Sequence, residues 1–156
     1  MASEDRNPMT TLFAFLHHLA AFTLVAAIAV EFVLIRQELT LSSARRLVAT
    51  DAVLGVAATV LLAVGLLRVF YFEKGATYYF HSHAFLTKFA LFILLALLSA
   101  IPTVEFLSWR AALRTGQVPR PDAKKLRMVT GVIHAELSGI VIILLCAAIM
   151  ARGGWV

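Results

Sequence analysis

The chain has 156 residues, 61% of them hydrophobic and 15% charged, with a net charge of +5 and a mean hydropathy of +0.88. Soluble domains average about 45–50% apolar and about 25% charged, and a domain of this size cannot hide such an excess in one core. A soluble enzyme, a disordered chain and a disulfide scaffold are thereby excluded, and most of the chain has lipid as its solvent. The positive charge does not describe a nucleic-acid surface, because the basic residues lie in short connections between apolar runs rather than on a water-exposed face. Cys146 is the single cysteine, so no internal disulfide and no Cys/His zinc spacing exists. It sits in the run Ile142–Ala147 and reads as a small packing residue.

A bilayer core about 30 Å thick needs about 20 apolar residues as a helix. Four runs meet that length. The first is Leu12 to Ile35. Within it Ala27-Ile28-Ala29 has the form of a cleavage site, but Glu4 and Asp5 outweigh Arg6 and two histidines interrupt the apolar run, so it reads as a retained span. The second run is Val48 to Phe72, the third Ala84 to Leu107 and the fourth Leu126 to Met150. None alternates with period two as a barrel strand does, and helices satisfy the backbone in lipid without a closed sheet. The predicted fold is all-α: one integral-membrane domain over residues 1–156, an antiparallel four-helix bundle. Gln117 to Asp122, with Pro119 and Pro121, reads as an irregular connection.

The connections after the first and third runs hold Arg36, Arg45, Arg46, Arg110, Arg114, Arg120, Lys124, Lys125 and Arg127, nine basic residues. The other side holds four: Arg6, Arg68, Lys74 and Arg152. By the positive-inside rule both termini lie in the periplasm of a bacterial inner membrane. Small residues mark the expected helix contacts: Gly131, Ala135 and Gly139 on the fourth span, and Gly55, Ala58 and Gly65 on the second. Pro102 is expected to kink the third span and to free a carbonyl one turn earlier.

Ionisable groups inside the spans carry the functional signal, because burying one in lipid costs at least about 2.5–3.5 kcal/mol. They fall into two layers. Toward the outer side lie His17, His18, Arg68, His81, His83 and Lys88; toward the inner side lie Glu31, Asp51, Glu105, His134 and Glu136. At about 1.5 Å per residue, His17 lies about 8 Å into its span and Lys88 about 6 Å into the third, from the same side. His17 and Glu31 share a helix face to within about 40°, which makes His17 the more inward of the two adjacent histidines. Asp51 shares a face with the small residues of the second span. The bland readings are concrete. Lys88, Arg68 and Arg36 can snorkel, and His81 and His83 can anchor at the interface beside Tyr78-Tyr79-Phe80. Asp51 can complement a helix N-terminus, and Glu105 can face water.

Two chemistries suit these layers. An inward imidazole at His17 is an axial ligand for b-type haem or porphyrin, with Lys88 as ligand or counter-ion, Arg68 on a propionate, and His18 and His81 nearby. That redox reading brings with it a membrane electron-transfer partner or a second copy of the chain. Alternatively, Glu31, Asp51, Glu105 and His134 carry a proton or a divalent cation without a cofactor, although no tight ligand motif accompanies them.

The segments Gly65-Leu66-Leu67-Arg68-Val69-Phe70-Tyr71-Phe72-Glu73-Lys74-Gly75 and Leu97 to Arg110, with His17-His18-Leu19 and Met150-Ala151-Arg152-Gly153, carry a resemblance. Over nearly its whole length the chain resembles a bacterial family of small four-span membrane proteins known as domain of unknown function 2214. That resemblance implies the fold and an inner-membrane location. More distantly, His17 and Lys88 look like the first-span His and third-span Lys that HemJ-type protoporphyrinogen oxidases use toward porphyrin or haem. The CopD-like membrane proteins are similar in architecture. Ser99-x-x-Pro102-Thr103, Glu31 and the inner carboxylates depart from the HemJ pattern.

Overall fold

A computed structural model of the chain describes residues 8–72, 81 and 83–152. The acidic pair Glu4 and Asp5, Arg6, Lys74 and the cluster Tyr78-Tyr79-Phe80 lie outside the described residues. Helix α1 runs Pro8–Leu34, α2 Leu41–Leu67, α3 His83–Leu98, α4 Ala100–Arg114 and α5 Ala123–Ala151. A π-helical turn, Arg68–Phe72, continues α2. Among the described residues, four stretches are long and apolar enough to cross a membrane: Pro8–Leu34, Leu41–Tyr71, His83–Arg114 and Ala123–Ile149. The four-span antiparallel bundle read from the sequence is the fold. α1 packs on α2 and α5, α2 on α4, and α3 on α5, which closes the ring.

The helices overrun the apolar runs mainly at one end, where the basic residues gather. α2 begins at Leu41, seven residues before Val48, because Thr40 caps it. The Thr40 hydroxyl accepts from the Ser43 amide at 3.1 Å and the Thr40 amide donates to Ser43 Oγ at 2.8 Å, a reciprocal box that satisfies otherwise orphaned donors. Arg45 and Arg46 are therefore helical rather than in a connection. α4 likewise runs on to Arg114, past Leu107, and stops at Gly116, whose φ of +74° is open to glycine at little cost. Hydropathy marks where lipid ends and cannot mark where a polar helix ends.

The third span breaks where Pro102 predicts. A turn at Ser99 separates α3 from α4, and Pro102 has no amide for the Leu98 carbonyl. The ladder resumes with the Thr103 amide on the Ser99 carbonyl at 3.2 Å.

The core lies between the helices toward the basic end. Leu24, Ile28, Leu47, Leu54, Phe106, Trp109, Val129 and Ile133 form it, and Phe106 meets Trp109 edge-on at 4.9 Å. Phe22, Val56, Leu97, Val104, Val141 and Leu145 point outward, as lipid-facing side chains do. Cys146 is buried and free.

The small residues divide. A Cβ on Gly139 would fall 2.6 Å from Leu95 Cδ1, and one on Gly65 3.3 Å from the His17 ring, so both sit at real helix contacts. Gly55 and Gly131 are exposed with nothing within 4 Å of a Cβ, and Ala135 is exposed as well. Four residues turn a helix by 400°, so a stripe at that spacing drifts about 40° per step off the packed face. Gly139→Leu is expected to wedge α3 from α5 and cost about 1–3 kcal/mol, read as a lower thermal midpoint in detergent. Gly55→Leu, which meets open space, is expected to leave that midpoint in place.

Candidate functional site

Three carboxylates enter the core from three helices. Glu31 continues the buried face of α1 set by Leu24, Ala27, Ile28 and Leu34, and is 0% exposed. Glu136 continues Val129, Ile133 and Ile140 on α5 and is 2% exposed; Asp51 continues Leu47 and Leu54 on α2 and is 6% exposed. The three feel one another's charge: Asp51 and Glu136 both act on Glu31, and Asp51 acts on Glu136.

Their partners are sparse and come from the helix break. Thr103 Oγ1 donates to Asp51 Oδ1 at 2.8 Å, and Ser99 hydrogen-bonds Glu136. Both hydroxyls belong to the third span where it breaks: Ser99 at the turn, Thr103 in the first turn of α4. Among the described residues neither carboxylate oxygen of Glu31 has a hydrogen-bond partner, and neither does Glu136 Oε2. A buried polar group left unpaired costs about 1–3 kcal/mol, so Glu31 works against the stability of the fold that holds it.

Asp51 is ten residues inside α2, which removes its reading as a first-turn residue complementing the dipole. It lines a groove of about 400 Å³ between α2 and α4, walled by Gly55, Val56, Thr59, Val60, Leu107 and Arg110. Arg110 acts electrostatically on Asp51 from the basic end. A second groove of about 430 Å³, between α1 and α2, is lined by apolar residues and Thr23.

The rest of the inner layer is engaged elsewhere. His134 Nδ1 lies 2.7 Å from the Thr130 carbonyl, and its Nε2 lies 2.7 Å from Arg36 Nη2. Glu105 accepts from the Trp109 indole at 3.0 Å and faces Lys125 at 3.6 Å. The set Glu31, Asp51, Glu105 and His134 is thus not one constellation. No group of three or more His, Cys, Asp or Glu among the described residues could hold a metal ion.

In the outer layer His17 lies half-buried against Gly65 of α2, while His18 is exposed and bonds the Ala14 carbonyl at 2.7 Å. The inward assignment of His17 agrees with this. Lys88 Nζ lies 5.5 Å from the Phe85 ring centroid, within electrostatic reach of Arg68 and Cys146. His81 and His83 are exposed.

Glu136 belongs to the inner layer of the sequence but lies outside the proton or cation set Glu31, Asp51, Glu105 and His134. The spacing Val129, Ile133, Glu136, Ile140 is a helical face and carries the signal that finds it. Arg36, whose bland reading is snorkelling, is exposed and lies 2.7 Å from His134 Nε2 of α5 through its Nη2. Ser99 and Thr103 have no sequence signal beyond their nearness to Pro102.

A family described as predicted membrane protein (DUF2214) matches residues 9–154 of the chain. Neither the curated proteins nor the solved structures hold a match. With the match covering nearly the whole bundle, break and carboxylates included, the chain belongs to this DUF2214 family of predicted membrane proteins.

Proposed function

We propose that the protein moves protons across a bacterial inner membrane through the Glu31–Asp51–Glu136 cluster, with its basic end in the cytoplasm and both termini in the periplasm. The orientation rests on the Lys and Arg distribution. The observation that carries the function is Glu31, a fully buried carboxyl with no hydrogen-bond partner among the described residues. A structural acid in lipid is kept by pairing; an unpaired one is kept for what it binds. A carboxyl with open lone pairs can accept and release a proton, and Glu136 and Asp51 lie within electrostatic reach of it. A divalent cation asks for several converging ligands, and the described residues hold no such group.

The haem or porphyrin reading rests on the resemblance of His17 and Lys88. The proposal therefore stands on the inner carboxylates.

A lipid-soluble carbodiimide tests it, because such reagents modify protonated carboxyls in apolar surroundings. Dicyclohexylcarbodiimide is expected to modify Glu31, and the adduct is expected to vanish in Glu31→Gln. Modification confined to the exposed Glu38 and Asp122 would overturn the proposal.

A further inference from the structure

We propose that the groove between α2 and α4 binds an anionic phospholipid from the leaflet at the basic end, with its phosphate on Arg45 and Arg110 and an acyl chain along the apolar walls. The site goes beyond the proton-carrying reading and does not depend on it.

The groove is apolar for most of its length. Ala52, Gly55, Val56, Val60 and Leu107 wall it, and all five are exposed on the outside of the bundle. A Cβ on Gly55 would meet nothing within 4 Å, which leaves room against α2 at that level. From Asp51 to Val60 the α2 wall runs nine residues away from the basic end, about 14 Å of helix. Asp51 itself adds little to the surface, being 6% exposed with its Oδ1 accepting from Thr103 at 2.8 Å.

The basic end of the groove is different. Arg110 lines it and is exposed. Arg110 follows Thr103 by seven residues, so its backbone lies about 10 Å nearer the basic end than the Asp51 contact. Arg45 reaches the same end from the other wall. Its Nη2 donates to the Leu113 carbonyl at 3.3 Å, and Leu113 lies three residues past Arg110, about 5 Å along α4. A guanidinium carries five N–H donors, so one bond to a carbonyl ties Arg45 to the end of α4 and still leaves donors for an anion.

Two guanidiniums, one from each helix, thus stand at the end of an apolar groove. Guanidinium forks match phosphate oxygens, and basic pockets between spans bind anionic headgroups. The order of depth is that of a lipid, with cations at headgroup level and apolar walls at chain level. The nine basic residues of this end disfavour the ammonium of a zwitterionic headgroup. Asp51, the acid of the groove, lies too deep to receive that ammonium, which sits on the water side of the phosphate. The groove between α1 and α2 makes the contrast. Its walls are apolar residues and Thr23, and without a cation it selects no headgroup.

Native mass spectrometry of the full chain released from detergent tests the site, with phosphatidylglycerol or phosphatidylethanolamine of identical chains added. Phosphatidylglycerol is expected to be held roughly fivefold more tightly, the factor for one charge near a membrane surface. Arg110→Gln and Arg45→Gln are each expected to weaken it by roughly the same factor. Arg110→Gln carries the test if loss of the Leu113 bond loosens the helix end in Arg45→Gln. Gly55→Phe, which fills the groove, is expected to abolish retention, and Arg127→Gln, on exposed α5, to leave it unchanged. Equal retention of the two lipids would overturn the proposal. So would an equal loss in Arg127→Gln and Arg110→Gln, which would mark a diffuse basic surface. Displacement of the lipid by an equal concentration of glycerol phosphate would reduce the site to a phosphate pocket without a chain and overturn it too. A dimer that retains no lipid and is lost in Gly55→Phe would assign the groove to a second copy of the chain instead.

Discussion

Replacing Glu31 with leucine is expected to raise the thermal midpoint of the bundle while abolishing proton movement. The side chain is 0% exposed and both its oxygens lack a hydrogen-bond partner among the described residues. Leucine has a similar volume, fits the face formed by Leu24, Ile28 and Leu34, and removes a group whose desolvation is not offset. The gain is about 1–3 kcal/mol, read by circular dichroism on heating in detergent. A residue kept at a cost to stability is the signature of function. A lower midpoint in Glu31→Leu would mark Glu31 as a structural staple.

Asp51 is expected to behave in the opposite sense. It is nearly as buried, but Thr103 donates to its Oδ1 at 2.8 Å. Asp51→Ala removes that acceptor and leaves a void beside Leu47 and Leu54, at a cost of about 1–3 kcal/mol. Asp51→Asn keeps an acceptor for Thr103 and is expected to restore most of the midpoint. Proton movement is expected to stay low in both, because neither side chain ionises. The pair of results separates an acid that the fold supports from one that it merely tolerates.

The two acids also show what could be read from the sequence. The spans were legible because lipid demands long apolar runs, and the break at Ser99 because Pro102 removes one amide. Helix ends at the basic side were not, since Thr40 and Ser43 extend α2 through residues no apolar count includes. Burial of Glu31 was legible from its depth, and that of Glu136 was available from the Val129–Ile133–Ile140 face. The small-residue stripe instead drew attention to Gly131 and Ala135, which face outward. The partners were illegible. Nothing local pairs Arg36 with His134, 98 residues away along the chain, or Thr103 with Asp51. Such pairings depend on which helices become neighbours and on the rotation each adopts. They split the inner layer into a carboxylate cluster, a histidine–arginine pair and a Glu105–Lys125–Trp109 group.

The most direct measurement is proton movement into liposomes holding wild-type protein or Glu31→Gln at equal density, with potassium and valinomycin clamping the potential and a trapped dye reporting pH. Wild type is expected to dissipate an imposed pH step faster than empty vesicles, and Glu31→Gln, folded with an unchanged circular dichroism spectrum, to match the empty vesicles. Equal rates in wild type and Glu31→Gln, or no difference between wild type and empty vesicles, would contradict a proton path through the buried carboxylates.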